Sequence, residues 1–307
     1  MTQDSQLRIS RTIDKLSDPE TFNVVCHEHR FGEPLPSIEK LNKIIHLIRE
    51  ILFPGYFGHT SLRPDATRHY MGVYIDELHE LLNEEILAGL CFECTEEKKD
   101  RVTENAFRAG KMAVDFIEFL PEIRRKLVND VKATFLGDPA AISHGEVIFS
   151  YPAIRAVTNY RVAHHLHELE VPLIPRFISE MAHSETGIDI HPKAKIGESF
   201  TIDHGTGIVI GSTCIIGNNV KIYQGVTLGA KSFPLDKDGN PIKGIPRHPI
   251  VEDNVIIYAG ATILGRITIG SNSIIGGNVW ITRDIEPNSR IVQSKPNDRF
   301  FTDGAGI

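Results

Sequence analysis

The sequence predicts an α+β protein in which an N-terminal α-helical domain precedes a left-handed parallel β-helix with one extruded loop. Three observations predict this fold. Apolar residues recur at helical spacing up to about residue 185, aliphatic residues then recur every six positions, and a polar insert interrupts that repeat once. The predicted domains are 1–187 (helical), 188–290 (β-helix, with its loop at 230–249) and 291–307 (a C-terminal tail).

Helices are predicted in the first half because apolar residues lie three and four positions apart, on one face of a helix. Ser37 is a suitable N-cap for the first, since its hydroxyl can accept a hydrogen bond from an otherwise unsatisfied backbone N–H. Pro121 and Pro152 are each predicted to open a helix, because proline fits the first turn. The predicted helices are 38–52, 67–90, 96–120, one that begins at Pro121, 153–169 and 175–183.

From residue 190 onward, a period of six residues predicts a solenoid of hexapeptide repeats. The period matches a triangular coil with short strands as sides, in which the repeated aliphatic side chain points inward and small residues occupy the corners. The repeat slips by two residues between Ile202 and Ile210. The repeated positions are Ile190, Ile196, Ile202, Ile210, Ile216, Ile222, Leu228, Val251, Ile257, Ile263, Ile269, Ile275 and Ile281.

The insert at 230–249, AKSFPLDKDGNPIKGIPRHP, is rich in proline, glycine and charge, which predicts an extruded loop. Long loops on rigid scaffolds often carry function, and this one ends in Arg247-His248 beside the resumed coil. A functional loop is therefore our interpretation, with a tolerated surface insertion as the alternative.

Composition excludes several classes of function. A formal net charge of −7 gives no electrostatic support for a nucleic-acid partner. No apolar run reaches the ~18 residues that a membrane-spanning helix needs, and the polar N-terminus lacks the apolar core of a signal peptide. Four cysteines do not make a disulfide framework in a chain of this length. We expect a cytoplasmic protein with neither a nucleic-acid nor a membrane partner.

Asp189 and His204 form a candidate catalytic pair. In a coil of about 18 residues, positions 15 apart lie near one another on successive turns. A carboxylate that orients an imidazole is the arrangement that removes a proton from a hydroxyl group. His204 also lies at the two-residue slip, where a side chain can leave the regular wall. The alternative is that His204 and Asp203 are only polar corner residues.

Four segments resemble the serine O-acetyltransferase family of bacterial and plant cysteine synthesis: TGIDIHPKAKIGESFTIDHGTGIVIG (186–211), YQGVTLGA (223–230), RHP (247–249) and YAGATILG (258–265). The IDHGTG and RHP pieces distinguish this family from other hexapeptide acyltransferases. The resemblance covers roughly residues 136–290. It implies an acetyl-CoA-dependent acyltransferase that acetylates the hydroxyl of L-serine directly, giving O-acetyl-L-serine and CoA, in the first step of cysteine biosynthesis from serine.

The resemblance also implies residue roles. His204 corresponds to the catalytic base, and Asp189 to the carboxylate that pairs with it. The carboxylate of serine suits a forked guanidinium, and its ammonium group suits a carboxylate. The implied serine-site residues are Asp138, Asp203, Arg247 and His248.

In the family, acetyl-CoA lies in the groove between neighbouring solenoids of a trimer, so we expect a homotrimer or a dimer of trimers. Where some members carry a lysine in the last coils, this chain has Ser273, and Lys231 is the candidate to replace it. The alternative for the small residues among these contacts is that solenoid corners simply require them. The implied acetyl-CoA contacts are Gly229, Ala230, Lys231, Ala259 and Gly260.

The resemblance implies acetyl-CoA as a co-substrate and no tightly bound cofactor. His191 and His204 are potential metal ligands. The closely spaced histidine pair of solenoid metalloenzymes of the γ-carbonic-anhydrase type is missing, however, so no metal site is predicted.

The C-terminal Ile307 ends an acidic, glycine-containing tail of the kind that many family members insert into the active site of O-acetylserine sulfhydrylase. The tail therefore predicts that enzyme as a partner, with a frayed terminus as the alternative. Two other functions stay open: an acyltransferase for a different hydroxyl acceptor, and an assembly module without enzymatic activity.

Overall fold

The computed structural model describes residues 3–22, 34–58, 64–92 and 101–294. The chain divides into two units, Met1–Pro34 and Leu35–Ile307. The first unit contains helices α1 (Gln3–Leu16) and α2 (Pro19–Phe22), which the sequence pattern did not predict. Helix α1 buries none of its residues. The predicted domain boundary at residue 187 lies inside the second unit and stays a prediction.

In its described part, the second unit begins with helices that largely follow the predicted ones. The Ser37 hydroxyl accepts a hydrogen bond from the Lys40 N–H at 3.3 Å, which confirms the predicted N-cap. Pro152 opens a helix, as predicted, whereas the short helix before it was not predicted. The helices are α3 (Ile38–Leu52), α4 (Pro64–Phe92), α5 (Arg101–Gly137), α6 (His144–Ser150), α7 (Pro152–Glu168) and α8 (Ile174–Thr186).

The prediction that Pro121 opens a new helix is wrong. Pro121 lies inside the continuous, 37-residue helix α5. Its ring is on the exposed side, while the buried stripe passes without interruption from Phe116 and Leu120 to Ile123 and Leu127. The packing of this stripe therefore outweighs the one backbone hydrogen bond that proline removes.

The strands that follow build a three-sided solenoid of parallel strands, as predicted. The first sheet has the order β1-β4-β7-β10-β13, the second β11-β8-β5-β2 and the third β14-β12-β9-β6-β3. In chain order the strands are β1 (Asp189–Ile190), β2 (Lys195–Ile196), β3 (Thr201–Asp203), β4 (Val209–Ile210), β5 (Ile215–Ile216), β6 (Lys221–Tyr223), β7 (Thr227–Gly229), β8 (Ile250–Val251), β9 (Ile256–Ile257), β10 (Thr262–Leu264), β11 (Thr268–Ile269), β12 (Ile274–Ile275), β13 (Trp280–Ile281) and β14 (Arg290–Ile291).

The register along the first sheet confirms the coil length, the slip and the insert. Val209 pairs with Thr227, and Thr262 with Trp280, so each of these coils advances by 18 residues. Asp189 pairs with Val209, an advance of 20 that contains the two-residue slip. Thr227 pairs with Thr262, an advance of 35 that contains the loop.

The repeated aliphatic side chains fill the interior of the coils, and each of the thirteen positions is at most 9% exposed. Two edges of this prism carry most of the predicted site residues. We call the edge where the chain passes from the third sheet to the first the 3–1 corner, and the edge where it passes from the first sheet to the second the 1–2 corner. The slip at 203–207 lies at the 3–1 corner, and the loop leaves and rejoins the solenoid at the 1–2 corner.

A buried ion pair joins two helices to the first coil. The Asp130 carboxylate on α5 accepts hydrogen bonds from two nitrogens of the Arg161 guanidinium on α7, at 2.6 and 2.8 Å. The same carboxylate accepts the Phe200 N–H at 3.0 Å, and Arg161 donates to the Gly197 carbonyl at 2.9 Å. These contacts fix α5 and α7 against the first coil of the solenoid. None of the described helices is long and apolar enough to cross a membrane.

Candidate active site

His204 projects from the 3–1 corner at the end of β3. Its backbone has φ +57°, a left-handed conformation that most side chains disfavour. Elsewhere in the described coils this conformation falls mostly on asparagine, at Asn219, Asn254, Asn272, Asn278 and Asn288. The side chain of His204 is 77% exposed, and its Nε2 lies 3.6 Å from Asp203 Oδ1. The slip therefore presents an imidazole to solvent beside a carboxylate.

A cleft of about 590 Å³ runs from His204 to the end of α5 and the start of α7. It brings together three of the predicted site residues, Asp138, Asp203 and His204. Lys221 and two tyrosines that the sequence analysis did not select lie there as well. The side chains that carry its chemistry are those of Asp138, Tyr151, Asp203, His204, Lys221 and Tyr223.

Asp138 follows the last residue of α5 and is held as an anion. The Tyr151 hydroxyl donates to its Oδ2 at 2.6 Å, and the Ala140 N–H donates to its Oδ1 at 2.8 Å. These two hydrogen bonds, helped by the charges of Lys221 and His204, lower the pKa of Asp138. The same contact raises the pKa of Tyr151 to about 12, so the hydroxyl remains a donor.

Lys221, on β6, connects the two sides of this cleft. Its Nζ lies 3.0 Å from Asp203 Oδ2 and donates to the Gly137 carbonyl at 2.8 Å. Burial lowers the pKa of Lys221, but its interactions with Tyr223 and Asp203 raise it by more, so the net shift is upward. The ammonium group therefore stays charged next to Asp203.

Asp189 faces a different set of neighbours. Among the described residues it forms no ion pair with His204, so their predicted pairing stays a prediction. Ligand atoms of Asp189, Glu180 and His183 lie within 4.8 Å of one another. Histidine and carboxylates are ligand types that suit a divalent metal ion. In the structure, Arg176 and His183 both pair with Glu180 at this place.

Arg247 and His248 lie at the 1–2 corner, not in the cleft. Their backbone N–H groups donate to the Thr213 hydroxyl at 2.9 and 3.1 Å, and His248 Nδ1 accepts the Thr213 N–H at 3.1 Å. A Cβ on Gly211 would lie 2.1 Å from the His248 ring, so glycine is required for this packing. Burial, aided by the nearby Arg247 and Arg266, lowers the pKa of His248 to about 4. The ring is therefore neutral at physiological pH.

The predicted acetyl-CoA contacts divide between the same two corners. Ala259 and Gly260 lie on the 3–1 corner, two coils further along the solenoid than His204. Successive coils are linked at this corner by the Gly225 N–H to the Thr206 carbonyl and by the Gly260 N–H to the Gln224 carbonyl, each at 2.9 Å. The remaining contacts lie at the 1–2 corner and are Gly229, Ala230 and Lys231.

Two other predicted residues lie elsewhere. Ser273 is fully buried, and its hydroxyl donates to the Glu286 carbonyl at 3.2 Å. Its side chain therefore lies in the interior of the coil. Ile307 lies outside the described residues.

Comparison with known proteins identifies relatives of the chain. Residues 248–283 match the family of bacterial transferase hexapeptides (six repeats). Together with the parallel solenoid, this match shows a left-handed β-helix of hexapeptide repeats, which confirms the predicted fold class.

Two relatives and one solved structure that are similar to the chain are serine acetyltransferases. The chain is 50% identical over 276 residues to a plasmid-encoded serine acetyltransferase of Synechococcus elongatus, covering 89% of this chain and 86% of the relative. It is 42% identical over 168 residues to serine acetyltransferase of Bacillus subtilis, covering 55% and 73%. Among solved structures, serine acetyltransferase 1 of Entamoeba histolytica in complex with L-cysteine is 34% identical, with a TM-score of 0.72, covering 91% of this chain and 94% of that one.

Proposed function

The chain belongs to the serine acetyltransferase family, and we propose that it transfers the acetyl group of acetyl-CoA directly to the hydroxyl of L-serine, giving O-acetyl-L-serine and CoA. One observation of the site supports the proposal above all. The cleft places two carboxylates, Asp138 and Asp203, beside an exposed histidine, which suits a substrate that carries both an ammonium group and a hydroxyl. Release of free CoA thiol that depends on L-serine tests it.

The proposed reaction needs a base, a positioned amine and an activated acetyl group. The ammonium group of serine binds between Asp138 and Asp203, which brings its hydroxyl to His204. The imidazole takes the hydroxyl proton while the serine oxygen attacks the thioester carbonyl. The tetrahedral intermediate then expels the CoA thiolate, which takes the proton back from the imidazolium. Because the acetyl group arrives as a thioester, the transfer needs acetyl-CoA as a co-substrate and no further cofactor.

We propose that the complete site lies between two copies of the chain. His204 and Arg247 lie at opposite edges of the first sheet, so one copy does not present both to the same substrate. From Val209 onward the outward face of that sheet is uncharged, and Trp280 on it is 70% exposed. Such a face suits self-association. A homotrimer, alone or paired into a dimer of trimers, brings the 3–1 corner of one copy to the 1–2 corner of the next.

A neighbouring copy would supply contacts to the serine carboxylate and to acetyl-CoA. The guanidinium of Arg247 from the neighbouring copy would hold the serine carboxylate, with the neutral ring of His248 beside it. Acetyl-CoA would lie in the groove between the two copies. Its walls would be the small residues Ala259 and Gly260 of one copy and Gly229 to Lys231 of the other.

Mixed trimers of two inactive variants should regain activity. We would co-express His204→Asn and Arg247→Glu chains with different tags and purify trimers that contain both. In a mixed trimer, about one of the three interfaces pairs an intact His204 with an intact Arg247, so about a third of the wild-type activity should return. The two homotrimers, purified separately, are the controls. Mixed trimers as inactive as the controls would contradict the shared site.

The pathway, the partner and the compartment are part of the same proposal. O-Acetyl-L-serine would be the product of the first step of cysteine biosynthesis from serine. The proposed partner is an O-acetylserine sulfhydrylase, which would bind the segment that contains Ile307. The described cysteines, Cys91 and Cys214, are buried thiols, which suits the reducing cytoplasm.

A further inference from the structure

We propose that Lys221 is a positioning residue that holds Asp138 and Asp203 in place and balances the charge of Asp203 beside His204. The inference rests on the proposed function, because it assigns Lys221 a role in the same serine site. Lys221 lies outside the four sequence segments that resemble the family. Its role follows from the contacts of its ammonium group.

Lys221 links the two sides of the cleft mechanically. Lys221 Nζ binds the carbonyl of Gly137, one residue before Asp138, and the carboxylate of Asp203, one residue before His204. One ammonium group thus ties the end of helix α5 to the corner of the solenoid. The Tyr223 ring lies under it, with Nζ 4.8 Å from the ring centroid, and limits its movement. The distance between the two substrate-binding carboxylates therefore depends on this side chain.

Lys221 also sets the net charge of the cleft. The charged groups that face His204 are Asp203 on β3, Asp138 after α5 and Lys221 on β6, with Tyr151 protonated on the α7 side. Two carboxylates against one ammonium leave a net charge of about −1, which matches the single ammonium group of an amino acid. Without Lys221 the net charge would be about −2, and the two carboxylates would repel each other with no cation between them. We therefore expect Asp138 and Asp203 to separate and to hold the serine ammonium group less tightly.

The test compares Lys221→Met with Lys221→Arg, which keeps the charge. In the methionine variant, the KM for L-serine should rise about tenfold, with the KM for acetyl-CoA within about twofold of wild type. The kcat at saturating L-serine should fall by less than the KM rises, because the base itself is unchanged. The arginine variant should return the KM for L-serine toward its wild-type value. Binding of L-serine alone, measured by calorimetry, should weaken in parallel with the KM.

Lys132→Met is the matched control, because Lys132 is an exposed lysine on α5 outside the cleft. It should behave as wild type in every assay. Wild-type protein without serine-dependent activity would refute the proposed function itself. An active wild type, with a methionine variant that keeps the wild-type KM for L-serine, would overturn the role of Lys221. Equal rises in the KM values for L-serine and acetyl-CoA would also overturn it.

Discussion

Replacing His204 with asparagine should lower kcat with L-serine by about 10²–10⁴-fold, the usual contribution of a general base, while the fold remains intact. Asparagine is the informative replacement because it tolerates the left-handed backbone of this corner, where φ is +57°. Alanine would add the cost of that conformation to the loss of the base. Steady-state rates of thiol release measure the effect. Thermal unfolding shows whether the fold survives, and sedimentation compares the mass of the variant in solution with that of wild type.

A control for the asparagine substitution is His46→Asn, because His46 is an exposed histidine on α3 that is not among the residues lining the cleft. Its rate should match wild type. If the His204 variant turned over L-serine within about twofold of wild type, His204 would not be the base. The proton would then have to leave through another group.

The second large effect concerns stability. Replacing Asp130 with asparagine should lower the free energy of unfolding by about 3–5 kcal/mol, the usual cost of removing one partner of a buried ion pair. The carboxylate is fully buried and the Arg161 side chain is 4% exposed, so the variant leaves a cation without its counter-charge inside the protein. Denaturant unfolding, followed by circular dichroism, measures the loss.

The matched control for the buried pair is an exposed one. Lys43 and Glu77 pair at 2.5 Å on the surface of the helices, with both side chains more than a third exposed. Lys43→Ala should change stability by at most about 1 kcal/mol, because solvent screens such pairs. Equal losses in the two variants would contradict the role assigned to Asp130.

Much of the fold could be predicted because the hexapeptide period leaves few alternatives. An aliphatic residue every six positions fits a triangular coil, and the slip at Ile202–Ile210 and the insert appear in the register where the sequence placed them. The helical part was harder. Proline at position 121 is a local signal for a helix start, yet the buried stripe of α5 passes through it. Tertiary packing keeps α5 continuous through Pro121. A rule based only on the local sequence does not take that packing into account.

The site could be predicted only in part, for two physical reasons. The motif residues Asp138, Asp203 and His204 line one cleft, while their roles in the reaction stay predictions. Lys221 was missed because its importance depends on a carbonyl at the end of α5, which is 84 residues away in sequence. Arg247 and His248 lie at the other corner, so the role proposed for them in the serine site requires a neighbouring copy of the chain.

The measurement that tests the central claim most directly is thiol release from acetyl-CoA with a panel of acceptors. Separate reactions would contain L-serine, L-homoserine, O-phospho-L-serine, a galactoside or no acceptor, and mass spectrometry would identify the product. We predict rapid release with L-serine, formation of O-acetyl-L-serine in equal amount, and little release in the other reactions. Release that is equally fast without an acceptor, or faster with any other acceptor, would contradict the assignment.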